Sequence, residues 1–224
     1  MGVPARLLVV APAIVTLAFL AVVSARWGMA DSLTYAANNQ INTWLARRIA
    51  PPAERWETVR EELVEAETLA AADPQPPELL AALFLHAAGR NDQAAQALAP
   101  LRRALELRPS SPYTWANLVD AYYRLGMTAG PFGRILSMAH RLGPSEPEVQ
   151  RLVVDVGLAM WDELGSETRA AVESAVAAGV KRNPLEILQI SERRGRLSMA
   201  CALAAGDKRL ERTKWIKTCS REAR

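Results

Sequence analysis

The chain is poor in aromatic residues, which fill 6% of its 224 positions, and poorer in histidine and cysteine, with two of each. β-Branched and aromatic runs are rare, and no stretch alternates apolar and polar residues, so nothing reads as a strand. His86 and His140 have no partner at metal-ligand spacing and read as structural residues. A glycine-rich phosphate loop, a nucleophile elbow and an HExxH motif are all missing. So is a large excess of one charge: 27 basic residues face 24 acidic ones, for a net charge of +3. That balance argues against a nucleic-acid partner. The basic excess gathers over residues 193–224. It reads as a solvated helix face, with phospholipid head groups or an acidic polymer as the alternative contact. Carboxylates such as Glu54, Glu57, Glu61 and Glu62 are spread along helix faces. No catalytic residue, cofactor or metal ligand is assigned, and the expectation is that the chain is not an enzyme.

Alanine and leucine are abundant. Unbranched side chains lose little rotamer freedom in a helix, so the expected fold class is all-α. Residues 7–25, LLVVAPAIVTLAFLAVVSA, are nineteen positions without a charge. At ~1.5 Å per residue such a helix just spans a hydrocarbon core of ~30 Å. Arg6 precedes the run, which favours a cytoplasmic N-terminus. Trp27, just past it, fits an interfacial anchor. The reading is a single-pass span over residues 1–26 of a bacterial inner membrane, with the body in the periplasm. A cleavable signal peptide ending at Val23-Ser24-Ala25 is the rival, and it exports the body equally. Residues 27–52 read as a separate juxtamembrane segment. Its helix, at 31–49, would be capped by Asp31-Ser32, carry Leu33, Ala37, Ile41, Trp44, Leu45 and Arg48 on one face, and stop at Pro51-Pro52.

Residues 53–224 then break into helices between prolines, glycines, Asn and Asp: 54–72, 77–88, 92–107, 112–125, 131–142, 148–164, 167–180, 185–194, 196–205 and 208–219. Ser166 is expected to cap one of them, and Gly179 and Gly195 to mark ends. The stretch 148–164 carries Val149, Leu152, Val153, Val156, Met160 and Trp161 on one face. ALELRP at 104–109 matches AHRLGP at 139–144 with an offset of 35 residues, close to the ~34-residue tetratricopeptide period. Trp115, Leu118 and Tyr122 take first-helix positions of that repeat, and Ala139 and Pro144 later ones. Ala97, Leu101, Ala104 and Pro109 fit the second helix of the preceding unit, whose first helix carries Ala81 and Phe84 instead of Trp and Leu. A tetratricopeptide-like array is therefore expected, clearest over residues 77–146. Trp115, Tyr122 and Trp161 are expected in its core. Tyr113 and Tyr123 are expected in a groove, where repeat proteins bind extended ligands. In an exported protein, Cys201 and Cys219 suggest one intramolecular disulfide, against the alternative of two unpaired buried thiols.

Residues 108–118, RPSSPYTWANL, 142–151, LGPSEPEVQR, and 156–161, VGLAMW, resemble segments of the VpsP-like proteins associated with bacterial exopolysaccharide biosynthesis. Pro112, Trp115, Gly143-Pro144, Pro147 and Trp161 carry the resemblance. These are structural residues, so it implies a family without transferring an active site. What it implies is a periplasm-facing scaffold in polysaccharide synthesis or export. Its partners would be inner-membrane or periplasmic proteins, met through the groove and the membrane helix, and the phospholipid bilayer. The alternative is an accessory subunit or assembly factor of another inner-membrane complex, respiratory, photosynthetic or transport.

Overall fold

A computed structural model describes residues 5–47, 49–86, 91–210 and 213–222. Among these residues every regular element is helical. The chain divides into two units, residues 1–89 and 90–224.

Unit one holds α1 (Ala5–Arg47), α2 (Ala53–Leu69) and α3 (Gln75–His86), each packed on the other two. The expected break between a membrane span and a juxtamembrane helix does not occur. α1 is one uninterrupted helix of 43 residues, about 65 Å long. Asp31 and Ser32 are exposed positions inside it, not caps, because the Met29-Ala30 step before them is itself helical. The side chains change role along its length. From Val10 to Met29 nearly all are exposed, and this part is long and apolar enough to cross a membrane. From Ala30 onward one stripe turns inward: Ala30, Thr34, Ala37 and Ile41 are buried at helical spacing. Leu33 and Trp44 are half-buried beside them, whereas Leu45 is exposed and Arg48 lies outside the described residues. Small residues let the backbones approach: Ala30 meets Ala66 and Ala70, the last flanked by Leu69. Arg26 Nη2 donates to the Thr68 carbonyl at 3.1 Å, satisfying an orphan acceptor at the end of α2. Val59 and Leu63 complete the α2 core face, and Trp56 stacks edge-on against Phe84 of α3 at 5.7 Å.

Unit two runs through α4 (Asn91–Leu107), α5 (Pro112–Arg124), α6 (Phe132–Leu142), α7 (Pro147–Ala159), α8 (Ser166–Arg182), α9 (Pro184–Arg193), α10 (Leu197–Ala204) and α11 (Trp215–Glu222). Pro112, Pro147 and Pro184 each sit at a first turn, where a missing N–H does no harm. Ser111 and Asn183 accept from the backbone N–H of Thr114 and Glu186 to cap α5 and α9. Gly126 and Gly195, with φ of 68° and 67°, end α5 and α9 in the left-handed region that favours glycine.

Three expectations fail here. Ser166 is already helical and its side chain caps nothing, the N-cap position falling on Gly165. Gly179 does not end α8, which continues to Arg182. Its missing side chain instead admits Ile187 of α9, whose Cδ1 lies 2.7 Å from where a Cβ would stand. The helices expected at 148–164 and 208–219 are each divided, by 3-10 turns at Trp161–Glu163 and Lys208–Leu210. In the second, the Asp207 carboxylate accepts from Arg209 N at 2.9 Å, and Thr213 Oγ1 accepts from Trp215 N at 3.3 Å, so capping restarts the chain at α11.

The packing order is regular. α5 rests on α6 and α7, α6 on α7 and α8, α7 on α8 and α9, and α8 on α9 and α10. α7 lies in the middle and is buried on more than the one expected face. Val149, Val153 and Val156 are buried, and so are Val154 and Leu158, while Leu152, Met160 and Trp161 are only half-buried. Gly157 lets Val172 of α8 press against the α7 backbone. Cys201 of α10 and Cys219 of α11 form a disulfide.

Candidate functional site

Groups that can meet a partner gather where α5, α7 and α9 run side by side. Tyr113, exposed at the start of α5, donates its hydroxyl to the Glu146 carboxylate ahead of α7. That bond, and then partial burial, raises the phenol above its usual range. Arg151 of α7 reaches Glu186 of α9 at 3.3 Å. One turn on, Asp155 takes three hydrogen bonds. Arg194 supplies two, Nε to Oδ1 at 2.8 Å and Nη2 to Oδ2 at 3.0 Å, and Arg193 Nη2 adds a third at 3.0 Å. The fork of Arg194 matches the carboxylate in a bidentate pair. Burial alone would raise the Asp155 carboxyl, but the bonds from Arg194 and Arg193 outweigh it and hold it below its ordinary range. The same guanidinium lies over the Tyr123 ring of α5, 6.0 Å from its centroid. Arg196 pairs with Asp162 beyond the end of α7.

These groups form a ladder whose rungs join sequence positions 33, 35, 38, 39 and 34 residues apart. Its chemistry is positional. Each carboxylate on it is engaged by a guanidinium or a phenol. Among the described residues no group of three or more His, Cys, Asp or Glu side chains could hold a metal ion.

The residues expected in the repeat core are placed unequally. Ala97, Leu101, Ala104 and Ala139 are fully buried, and Leu118 and Tyr122 nearly so. Pro109 and Pro144 are exposed in the turns after α4 and α6, where they stop a helix without filling a core. Trp115 and Trp161 are half-buried, contrary to the core position expected of them. Indole N–H groups need an acceptor, and Trp115 Nε1 donates to the Pro109 carbonyl at 2.8 Å from the surface. Trp161 is covered on one face by Arg169, 5.6 Å from its ring centroid. Tyr123 is half-buried and lies on the ladder through the Arg194 guanidinium over its ring. The His140 ring is partly buried with Nδ1 unpartnered, and burial lowers its pKa below the ordinary value. The side chains of His86 and Arg6 lie outside those described, and Trp27 is 60% exposed.

The sequence reading missed Glu146, Asp155, Arg193 and Arg194. For Asp155 with Arg193 and Arg194 the signal was present, as opposite charges 38 and 39 residues apart. No family model matches the chain, and neither a curated protein nor a solved structure does.

Proposed function

We propose that this chain is a single-pass, membrane-anchored scaffold with its N-terminus in the bacterial cytoplasm and its body in the periplasm, acting in exopolysaccharide biosynthesis or export and not as an enzyme. The observation that carries the reading is the stacking order of unit two. Helices packed on the next and the next but one, with polar rungs joining positions 31 to 39 residues apart, support a tetratricopeptide-like array. In such arrays the surface lined by the first helices is the docking face. Here it presents Tyr113, Tyr123, Arg193 and Arg194. The Cys201–Cys219 bond fits an oxidising compartment. The long apolar stretch of α1 supplies the anchor, and the resemblance to VpsP-like proteins supplies the polysaccharide context. The test is a clean deletion complemented with the wild-type chain or with a Tyr123→Ala, Arg193→Ala variant. Secreted polymer should fall on deletion and recover only with the wild type. Unchanged polymer in the deletion strain refutes the assignment.

A second reading has its own observation. Past the uncharged run that ends at residue 25, α1 still exposes Met29 at 54% and Tyr35 at 67%, a lateral surface suited to a neighbouring membrane protein. An accessory subunit of a respiratory, photosynthetic or transport complex would use that surface. Co-purification with such an enzyme in mild detergent, lost in Tyr35→Ala, favours it.

A further inference from the structure

α1 and the α2–α3 turn enclose an open hollow of about 520 Å³, lined by Trp27, Gly28 and Asp31 on one side and Ala70, Ala72, Asp73 and Pro74 on the other. Its position along α1 determines what it meets. The uncharged run ends at residue 25, and Arg26 is the first charge after it. With no break in the helix, Gly28 lies ~3 Å and Asp31 ~7–8 Å beyond Arg26 along the axis. The headgroup zone on each side of a ~30 Å hydrocarbon core is roughly 5–8 Å deep. The hollow therefore opens at headgroup depth wherever α1 spans. The hydrogen bond from Arg26 to the Thr68 carbonyl brings the end of α2 to the same level.

The lining is suited to a small cation. Asp31 is exposed, and Asp73 uses Oδ1 to accept from Gln75 N at 2.9 Å, which leaves its other oxygen for a donor. Trp27 offers an indole face, which attracts ammonium groups. Gly28 lines the hollow, and a Cβ built there meets no atom within 4 Å. Two acidic side chains disfavour an anionic headgroup. Arg26, next to Trp27, has guanidinium donors beyond the one given to Thr68, and these suit a phosphodiester.

We propose that this hollow binds the headgroup of an aminophospholipid, phosphatidylethanolamine, in the leaflet facing the folded body. Its primary ammonium sits between Asp31 and Asp73 beneath Trp27, and its phosphate lies toward Arg26. The proposal rests on α1 being the span, and the experiment separates the two claims. The full chain is reconstituted into nanodiscs of phosphatidylethanolamine, phosphatidylcholine and phosphatidylglycerol in equal parts. Lipids retained on the released protein are then counted by native mass spectrometry. The ethanolamine lipid should be retained at least about threefold over the choline lipid, which has no N–H to donate. D31N/D73N should abolish that preference, and the amide replacing the second carboxylate still offers an oxygen to Gln75 N. G28L should abolish it as well by filling the hollow, with helicity by circular dichroism unchanged. Equal retention of the three lipids, preference for the glycerol lipid, or a preference that survives both variants overturns the headgroup site while α1 remains the span. A chain that does not enter nanodiscs overturns the span and the site together.

Discussion

Unit one closes on small residues. Ala30 of α1 packs on Ala66 and Ala70, Thr34 and Ala37 are buried on the same stripe, and larger side chains such as Leu63 and Phe84 are buried on α2 and α3. Unit two is closed by branched side chains around two glycines, by ion pairs between α7 and α9, and by one covalent bond near its end. Burial of apolar area responds weakly to pH and not at all to thiols, whereas ion pairs respond to the first and cystine to the second. The two units should therefore fail under different conditions, although both are built only of helices among the described residues.

The largest expected effect tests unit one. Leu63 is fully buried, so Leu63→Ala leaves a cavity and should destabilise that unit by ~2–5 kcal/mol. Calorimetry of the detergent-solubilised chain should show a transition lowered by Leu63→Ala and a second one unmoved. A single transition that shifts as a whole would show the units to be thermodynamically one body. Next is the disulfide. Closing an 18-residue separation contributes about 3 kcal/mol in the chain-entropy model. Reduction should lower only the unit-two transition, and Cys201→Ser with Cys219→Ser should reproduce that shift and remove the response to reductant.

The smallest effect is acid sensitivity, and it too belongs to unit two. His140 is held below its ordinary 6.5 by burial, so its contribution is present above that value and is lost as pH falls beneath it. Asp155 is held below 3.8, so its contribution persists to lower pH and is lost as pH drops through the depressed value. Two acid steps should appear in the unit-two melting temperature. Asp155→Asn should remove the lower one and leave the upper in place. Glu57 of unit one is also lowered, chiefly by its hydrogen bond from Arg60, but as an exposed pair three residues apart on one helix it contributes little.

Much of unit two was legible because proline and glycine act locally. Pro112, Pro147 and Pro184 fixed helix starts, and Gly126 and Gly195 fixed ends, for reasons contained within a few residues. The cystine was legible because two cysteines in a chain expected to be exported leave few alternatives. Other features depend on partners that sequence does not display. Gly179 resembles a helix terminator until Ile187 is seen occupying the place of its side chain. Asp31-Ser32 has cap chemistry, but an N-cap residue must itself be non-helical, and α1 runs through this segment as unbroken helix. Trp115 and Trp161 follow the repeat pattern yet remain half-buried, because the indole of one and the ring face of the other have polar partners at the surface. Asp155 and Arg194 are ordinary charges in the sequence. They become a site only when the fold sets α7 beside α9.

The continuity of α1 has a consequence for encounter. A flexible tether of some twenty residues would let the attached body sweep a hemisphere above the bilayer, diluting its docking faces through that volume. A rod restricts the search to a thin slab. From Trp27 to Arg47, α1 extends about 30 Å with α2 and α3 packed against it. On the proposed reading, in which α1 crosses the bilayer, α2 and α3 are carried near one height and turn chiefly about the axis of α1. A membrane partner that presents its epitope at that height meets unit one at high local concentration, and one that presents it elsewhere is excluded by geometry before any contact is made.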